Sequence, residues 1–257
     1  MKTFSYNAAA LAAVTALCAS CATHGTWQVT GVERTRILVD NRYDTRPDAE
    51  AASFIAPYKA KVAEQMSPVV GHTARYMASY RPESELSNLL SDILVWAGAR
   101  FGEKPDFAVY NEGGIRAALP KGDVTVGDVL DVAPFNNKIC FLSLTGDKVL
   151  ELFAQIASRH GEGVSHAVAM HIDKAGHLLG ATVGGQPVDP KRTYRIATLD
   201  YLSHGNDDMV AFKAKTNVVT PDGEEHNVRF LIMDYMKEMA VKGIDVDSKV
   251  EGRIVEE

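Results

Sequence analysis

Three short segments carry side chains suited to gripping a small polar ligand. The first is Asn111-Glu112-Gly113-Gly114-Ile115-Arg116, directly after the apolar run Phe107–Tyr110. Two glycines let a backbone turn tightly and approach a ligand with no Cβ in the way. Successive exposed N–H groups make an anion-binding concavity. Arg116 adds a permanently charged fork that fits carboxylate or phosphate. The same residues also suit a plain surface turn with a solvated arginine. The second segment is Ala133-Pro134-Phe135-Asn136-Asn137. An aromatic followed by two amides can stack on a flat ring and read its edge. Equally, Phe135 can plug a core while the asparagines cap a turn. The third segment runs from Ala197 to Asp208 and contains Tyr201, His204, Gly205-Asn206 and Asp207-Asp208. Tyr201 offers another stacking face, and Asp207 can accept hydrogen bonds from a sugar or amine. The alternative is a loop with a capping aspartate before a short helix.

These segments need rigid elements to aim them, and the hydrophobic pattern supplies a set. Alternation over 27–40 predicts a strand. Ala51, Ile55, Tyr58, Val62 and Met66 fall on one helical stripe and predict a helix over Asp48–Met66. Strands are expected at 68–79 and 106–110, with a helix at Ser84–Phe101 between them. Glu83 and Glu85 suit the positive end of that helix. Further on, the pattern predicts a strand at Lys138–Leu144, a helix at Gly146–Ser158 and a strand at 164–173. Two strands follow around the turn Val188-Asp-Pro-Lys, then a helix at Val228–Lys242 and a closing strand at 249–255. The mixture implies an α/β (α+β) fold: one mixed-sheet domain with flanking helices.

Together with Ser84–Asp92 and Pro187–Thr198, the three segments resemble the C-terminal domain of the 5′-nucleotidase family, which includes UDP-sugar hydrolases. The family's strings, Asn-Gly-Gly-Gly-Ile-Arg, a Pro-Phe-Gly-Asn loop and an Asn-Phe then Gly-Gly-Asp-Gly segment, have their counterparts here in the same order and at the same spacing. The resemblance runs from about Asp48 to the C-terminus. It implies a substrate-binding domain with the base held between two rings. By position, Phe135 and Tyr201 would form that clamp. Asn111, Gly114 and Arg116 would belong to the Gly-rich site. Asn137 and Asp207 would reach the base edge and ribose hydroxyls, and Arg81 lies near a further substrate arginine of the family. The departures are Glu112 and Asn136 in place of glycines, Tyr201 in place of phenylalanine, and Asn206 and Asp208 around Asp207 in place of glycines. The extra carboxylates favour a nucleoside, a monophosphate or another small ligand over a polyphosphate.

In the family, hydrolysis belongs to a separate metallophosphatase domain with two metals, whose clustered Asp, His and Asn ligands generate a nucleophilic water. Its strings, Asp-x-His, Gly-Asn-His-Asp/Glu and Gly-His-x-His, do not occur here, and the eight histidines are scattered. No Gly-x-Ser-x-Gly elbow or Walker loop replaces them. The resemblance therefore implies no catalytic residue, cofactor or metal in this chain. The two divalent metals are expected on a separate metallophosphatase chain that acts with it in nucleotide catabolism. The competing expectations are a non-catalytic nucleoside-binding lipoprotein and an interaction protein with a vestigial pocket.

The start of the chain reads as an export signal. Lys2 precedes an uncharged run, Ala8–Leu17, about ten residues long and too short to span a bilayer as a helix. Small residues then lead to Cys21, as in a lipobox. Residues 1–20 are expected to be a lipoprotein signal peptide, 21–31 a tether lipidated at Cys21, and 32–257 the binding domain. The expected location is a bacterial (outer) membrane, on its periplasmic or surface side. With 27 basic and 33 acidic residues the net charge is −6. That opposes nonspecific nucleic-acid binding, which needs a basic surface. With Cys18 removed and Cys21 acylated, Cys140 is left alone, so neither a disulfide nor a Cys-pair zinc site is expected.

Overall fold

The computed structural model describes residues 28–45 and 48–257. The expected signal peptide, Cys21 and most of the expected tether lie outside the described residues. The chain divides into two units, one ending at Ala52 and the other running from Ser53 to Glu257. In the first, residues 28–39 form no strand, contrary to the alternation. Val29, Val32, Ile37 and Val39 are exposed. Alternation specifies a face, but a strand also requires a ladder partner. A 3-10 turn at Asn41–Tyr43 is capped by Asp40, whose carboxylate accepts the Arg42 N–H at 3.1 Å.

The helix expected from Asp48 is α1 (Ala49–Met66). Its apolar stripe is present, yet none of its residues is buried. Strand β1 (Val69–Thr73) follows and ends six residues earlier than the pattern suggested. Next come α2 (Glu85–Gly98), β2 (Phe107–Tyr110), β3 (Gly122–Thr125) and α3 (Val126–Val132). Ser84 starts α2 with a capping box closed by Ser87, and Thr125 starts α3 with one closed by Asp128. β4 (Ile139–Thr145) and α4 (Gly146–Ser158) come next. The predicted 164–173 strand is split into β5 (Gly163–Val164) and β6 (Val168–Ile172). The 178–198 region holds three strands: β7 (Leu178–Val183), β8 (Gln186–Pro187) and β9 (Thr193–Leu199). The hairpin turn is Gly184-Gly185, where φ is 61° and 73°. Positive φ at both central residues matches the strand twist, and glycine reaches it without strain. The chain closes with α5 (Asp200–Ser203), β10 (Thr216–Val219), α6 (Val228–Val241) and β11 (Ile254–Glu256).

The expected mixed sheet is five-stranded, in the order β10-β4-β9-β2-β5, and two smaller sheets accompany it: β11-β6-β7-β8 and β1-β3. β2 and β9 run parallel, and β4 is antiparallel to β9, with Ile139 opposite Leu199. This order fixes the site. The C-terminal ends of β2 and β9 and the N-terminal start of β4 share one sheet end, so the 111–116, 201–208 and 133–137 segments emerge side by side. The core beneath is apolar and closed. Leu86, Leu90, Ile93 and Leu94 of α2 are fully buried, and Phe107 of β2 meets Phe153 of α4 at a ring-centroid distance of 5.4 Å. Loops held on a rigid scaffold of strands are a common setting for a binding site.

Candidate functional site

At that sheet end lies a cavity of about 200 Å3 lined by Asn111, Gly113, Gly114, Phe135, Asn137, Tyr201 and Asp207. Six of the eight ligand residues expected from sequence therefore meet in one place. Phe135 is 48% exposed and Tyr201 39% exposed. Neither ring is a core plug, and both offer an apolar face at the cavity.

Hydrogen bonds hold the polar side of the cavity. Asp207 accepts from Asn111 Nδ2 at 2.8 Å and from the Tyr201 hydroxyl at 3.2 Å. Burial and the Asp207 charge together push the Tyr201 phenol up, burial being the larger cause. Asn206 Nδ2 donates to the Tyr201 carbonyl at 2.7 Å and steadies the same turn. A Cβ at Gly114 would stand 2.6 Å from Asn111 Oδ1, so a larger residue there would have to displace the Asn111 side chain from its bond to Asp207. That Oδ1 is buried and takes no hydrogen bond from the described residues.

The loop bearing Phe135 is fixed from α6. Arg229 Nη2 donates to the Pro134 carbonyl at 2.9 Å and to Asn136 Oδ1 at 2.5 Å. The Val228 N–H donates to the Asn137 carbonyl at 2.9 Å. Asn136, which stands where the family string has glycine, thus serves as an anchor. Arg229 leaves little trace in the sequence: a basic residue in the first turn of a helix, where the dipole disfavours one.

Arg116 and Arg81 stand apart from the lining. Arg116 is exposed and its Nη1 donates to the Gly113 carbonyl at 3.2 Å. It lines a neighbouring hollow with Tyr76 and Ser79. Arg81 donates to the Gly161 carbonyl at 2.8 Å and to Glu162 Oε1 at 2.5 Å. Glu112, expected to bring a charge beside the anion site, points elsewhere. Its side chain is buried, takes a hydrogen bond from Ser79 Oγ and lies outside the cavity lining. Burial, and next to it the charge of Glu162, push its carboxyl up. Among the described residues, no three His, Cys, Asp or Glu side chains converge as metal ligands would. The site as built can stack a ring, read its edge and accept from hydroxyls.

Comparison with known proteins agrees with this architecture. The sequence model described as 5′-nucleotidase, C-terminal domain, matches residues 69–214, and the chain belongs to that family. It is 27% identical over 201 residues to Protein UshA of Escherichia coli (strain K12), an alignment covering 77% of this chain and 35% of that protein. It is 25% identical over 215 residues to a 5′-nucleotidase of Vibrio vulnificus, covering 82% and 37%. The crystal structure of a 5′-nucleotidase precursor from Thermus thermophilus superposes with a TM-score of 0.70 at 27% identity, over 80% of this chain and 43% of that one. The chain thus spans about a third of the length of these curated relatives.

Proposed function

We propose that this chain is the nucleotide- or nucleoside-binding half of a 5′-nucleotidase-type phosphohydrolase and acts with a metallophosphatase domain on a second chain. The observation that carries the reading is the cavity where Phe135 and Tyr201, both half-exposed, meet Asn111, Asn137 and Asp207. Two aromatic faces supply sequence-tolerant stacking for a base. A carboxylate flanked by amides supplies acceptors and donors for ribose hydroxyls and a base edge. Arg116, whose hydrogen bond among the described residues goes to a backbone carbonyl, remains free for a phosphate beyond the Gly-rich loop. The reading includes export and anchoring through an acylated Cys21 on a bacterial membrane, facing the periplasm or the outside.

Calorimetric titration with adenosine and its monophosphate, alongside thermal melting, tests it. Base stacking contributes about 1–3 kcal/mol per base by alanine substitution, so Phe135→Ala and Tyr201→Ala should each weaken binding roughly five- to a hundredfold. Melting temperatures should stay near wild type, because neither ring is buried. Arg116→Ala should weaken the monophosphate more than the nucleoside, a charge-assisted hydrogen bond contributing about 1.5–3 kcal/mol. Wild type that binds neither ligand at millimolar concentration rejects the reading, as do alanine variants that melt early with unchanged affinity.

A further inference from the structure

Behind the cavity an ionic network centred on a buried carboxylate joins two of its three lining loops. Glu162, in the short turn between α4 and β5, has a fully buried side chain, 0% exposed. Its Oε2 accepts the backbone N–H of Glu112 at 2.5 Å, inside the Asn111–Gly114 loop. Its Oε1 accepts from Arg81 Nη2 at 2.5 Å and from Arg159 Nε at 2.7 Å. Arg159 then continues outward, and its Nη1 donates to Asp208 Oδ2 at 3.2 Å. The two loops are therefore bridged twice. On the cavity side the bridge is direct, Asn111 to Asp207. On the far side it runs from the Glu112 N–H through Glu162 and Arg159 to Asp208.

The second bridge has something to hold. Asp207 and Asp208 have φ of 52° and 59°, two consecutive non-glycine residues in the left-handed region. Such backbone persists only where surrounding contacts over-determine it. Asn111 fixes the first aspartate and Arg159 the second. A buried carboxylate with two guanidinium partners is also intolerant of partner loss, since removal of one leaves charge uncompensated in a poorly solvating place. We infer that Glu162 is a positioning residue for the binding cavity, acting through Arg159 and the Glu112 N–H to set the Gly-rich loop against the Asp207-Asp208 turn. The inference rests on the nucleoside-binding reading above. None of Glu162, Arg159 and Asp208 lines the cavity, so their effect on ligand must pass through Asn111 and Asp207.

Adenosine titration and melting of Arg159→Gln, Asp208→Asn and the double variant test the bridge, with Arg159→Lys as the conservative replacement. Glu162→Gln risks misfolding, whereas the Asp208 side chain is 85% exposed and asparagine tolerates left-handed backbone. We expect Arg159→Gln and Asp208→Asn each to weaken adenosine about three- to tenfold, with Arg159→Lys closer to wild type. The double variant should be no weaker than the weaker single, because both cut one path. Melting temperature should stay within a few degrees for Asp208→Asn. Unchanged affinity in Asp208→Asn and Arg159→Gln overturns the bridge, as does a double variant whose loss is the product of the singles. If those variants bind normally while Phe135→Ala does not, the cavity stands and only the bridge falls. Wild type that binds no adenosine removes both.

Discussion

Glu112 shows how one substitution can be absorbed by a fold. A carboxylate in place of a glycine next to an anion-binding loop would be expected to repel a phosphate. Here it turns away from the cavity, beneath the loop, and takes a hydrogen bond from Ser79. Burial, with the Glu162 charge behind it, raises its carboxyl above the ordinary range. The sign of the pH effect follows. With the folded-state value raised, the folded protein holds this proton more tightly than the unfolded chain, so the stability it contributes is full at low pH. It is lost as pH rises from about 4.3, the ordinary glutamate value, through the raised value. Glu112→Gln keeps an acceptor for Ser79 and never ionises. The difference in melting temperature, wild type minus variant, should therefore fall steadily as pH is raised from 4 toward neutrality. Parallel melting curves over that range would show that Glu112 does not hold a proton preferentially in the folded state.

At the scale of elements, close approach of backbones fixes where helices can start. Gly146 opens α4 against the turn after β8: its N–H donates to the Arg192 carbonyl at 2.8 Å, and an added Cβ would stand 1.9 Å from the Asp189 carbonyl oxygen. The obstacle is backbone, so it cannot rotate away. Overpacking of this kind costs about 1–3 kcal/mol, and in a domain of this size each kcal/mol moves the melting temperature by roughly 2–4 °C. Gly146→Ala should thus melt several degrees early, while Gly180→Ala in β7, with nothing within 4 Å of its Cβ, should melt within a degree or two of wild type. Equal melting of the two would sink this account. The bounds of α4 were legible in advance because its apolar stripe begins and ends cleanly. β3 and α3 were not: seven helical residues give too little periodicity, and the signal that marks α3 is the Thr125-to-Asp128 capping box. The 28–39 segment misled in the opposite sense, since alternation carries no information about a partner strand. In the site, residues set in motif order could be named from sequence, whereas Arg159, Glu162 and Arg229 act from elsewhere in the chain and needed the sheet order to bring them near.

For the whole molecule, the unit from Ser53 to Glu257 carries a built cavity, and the reading as a tethered half-enzyme makes two demands. The first is an anchor. Labelled fatty acid should enter wild type and not Cys21→Ala, since each buried CH2 of an acyl chain contributes about 0.8 kcal/mol to membrane attachment; equal labelling of both removes the anchor from the proposal. The second concerns chemistry. Phosphoester hydrolysis by a two-metal route needs a cluster of oxygen and nitrogen ligands a few ångströms across. The cavity wall offers amides, two rings and one carboxylate, Asp207, already hydrogen-bonded to Asn111 and Tyr201. The purified chain should therefore turn over no nucleoside monophosphate above background with Mg2+, Mn2+, Zn2+ or Co2+. Added to a metallophosphatase domain that is poor alone, it should raise turnover, and the Phe135→Ala and Tyr201→Ala variants should lose that enhancement in proportion to their lost affinity. Hydrolysis that co-purifies with the chain through several columns and vanishes in Asp207→Asn would place the chemistry in this molecule. An enhancement unaffected by the ring variants would mean that the two chains meet without the cavity taking part.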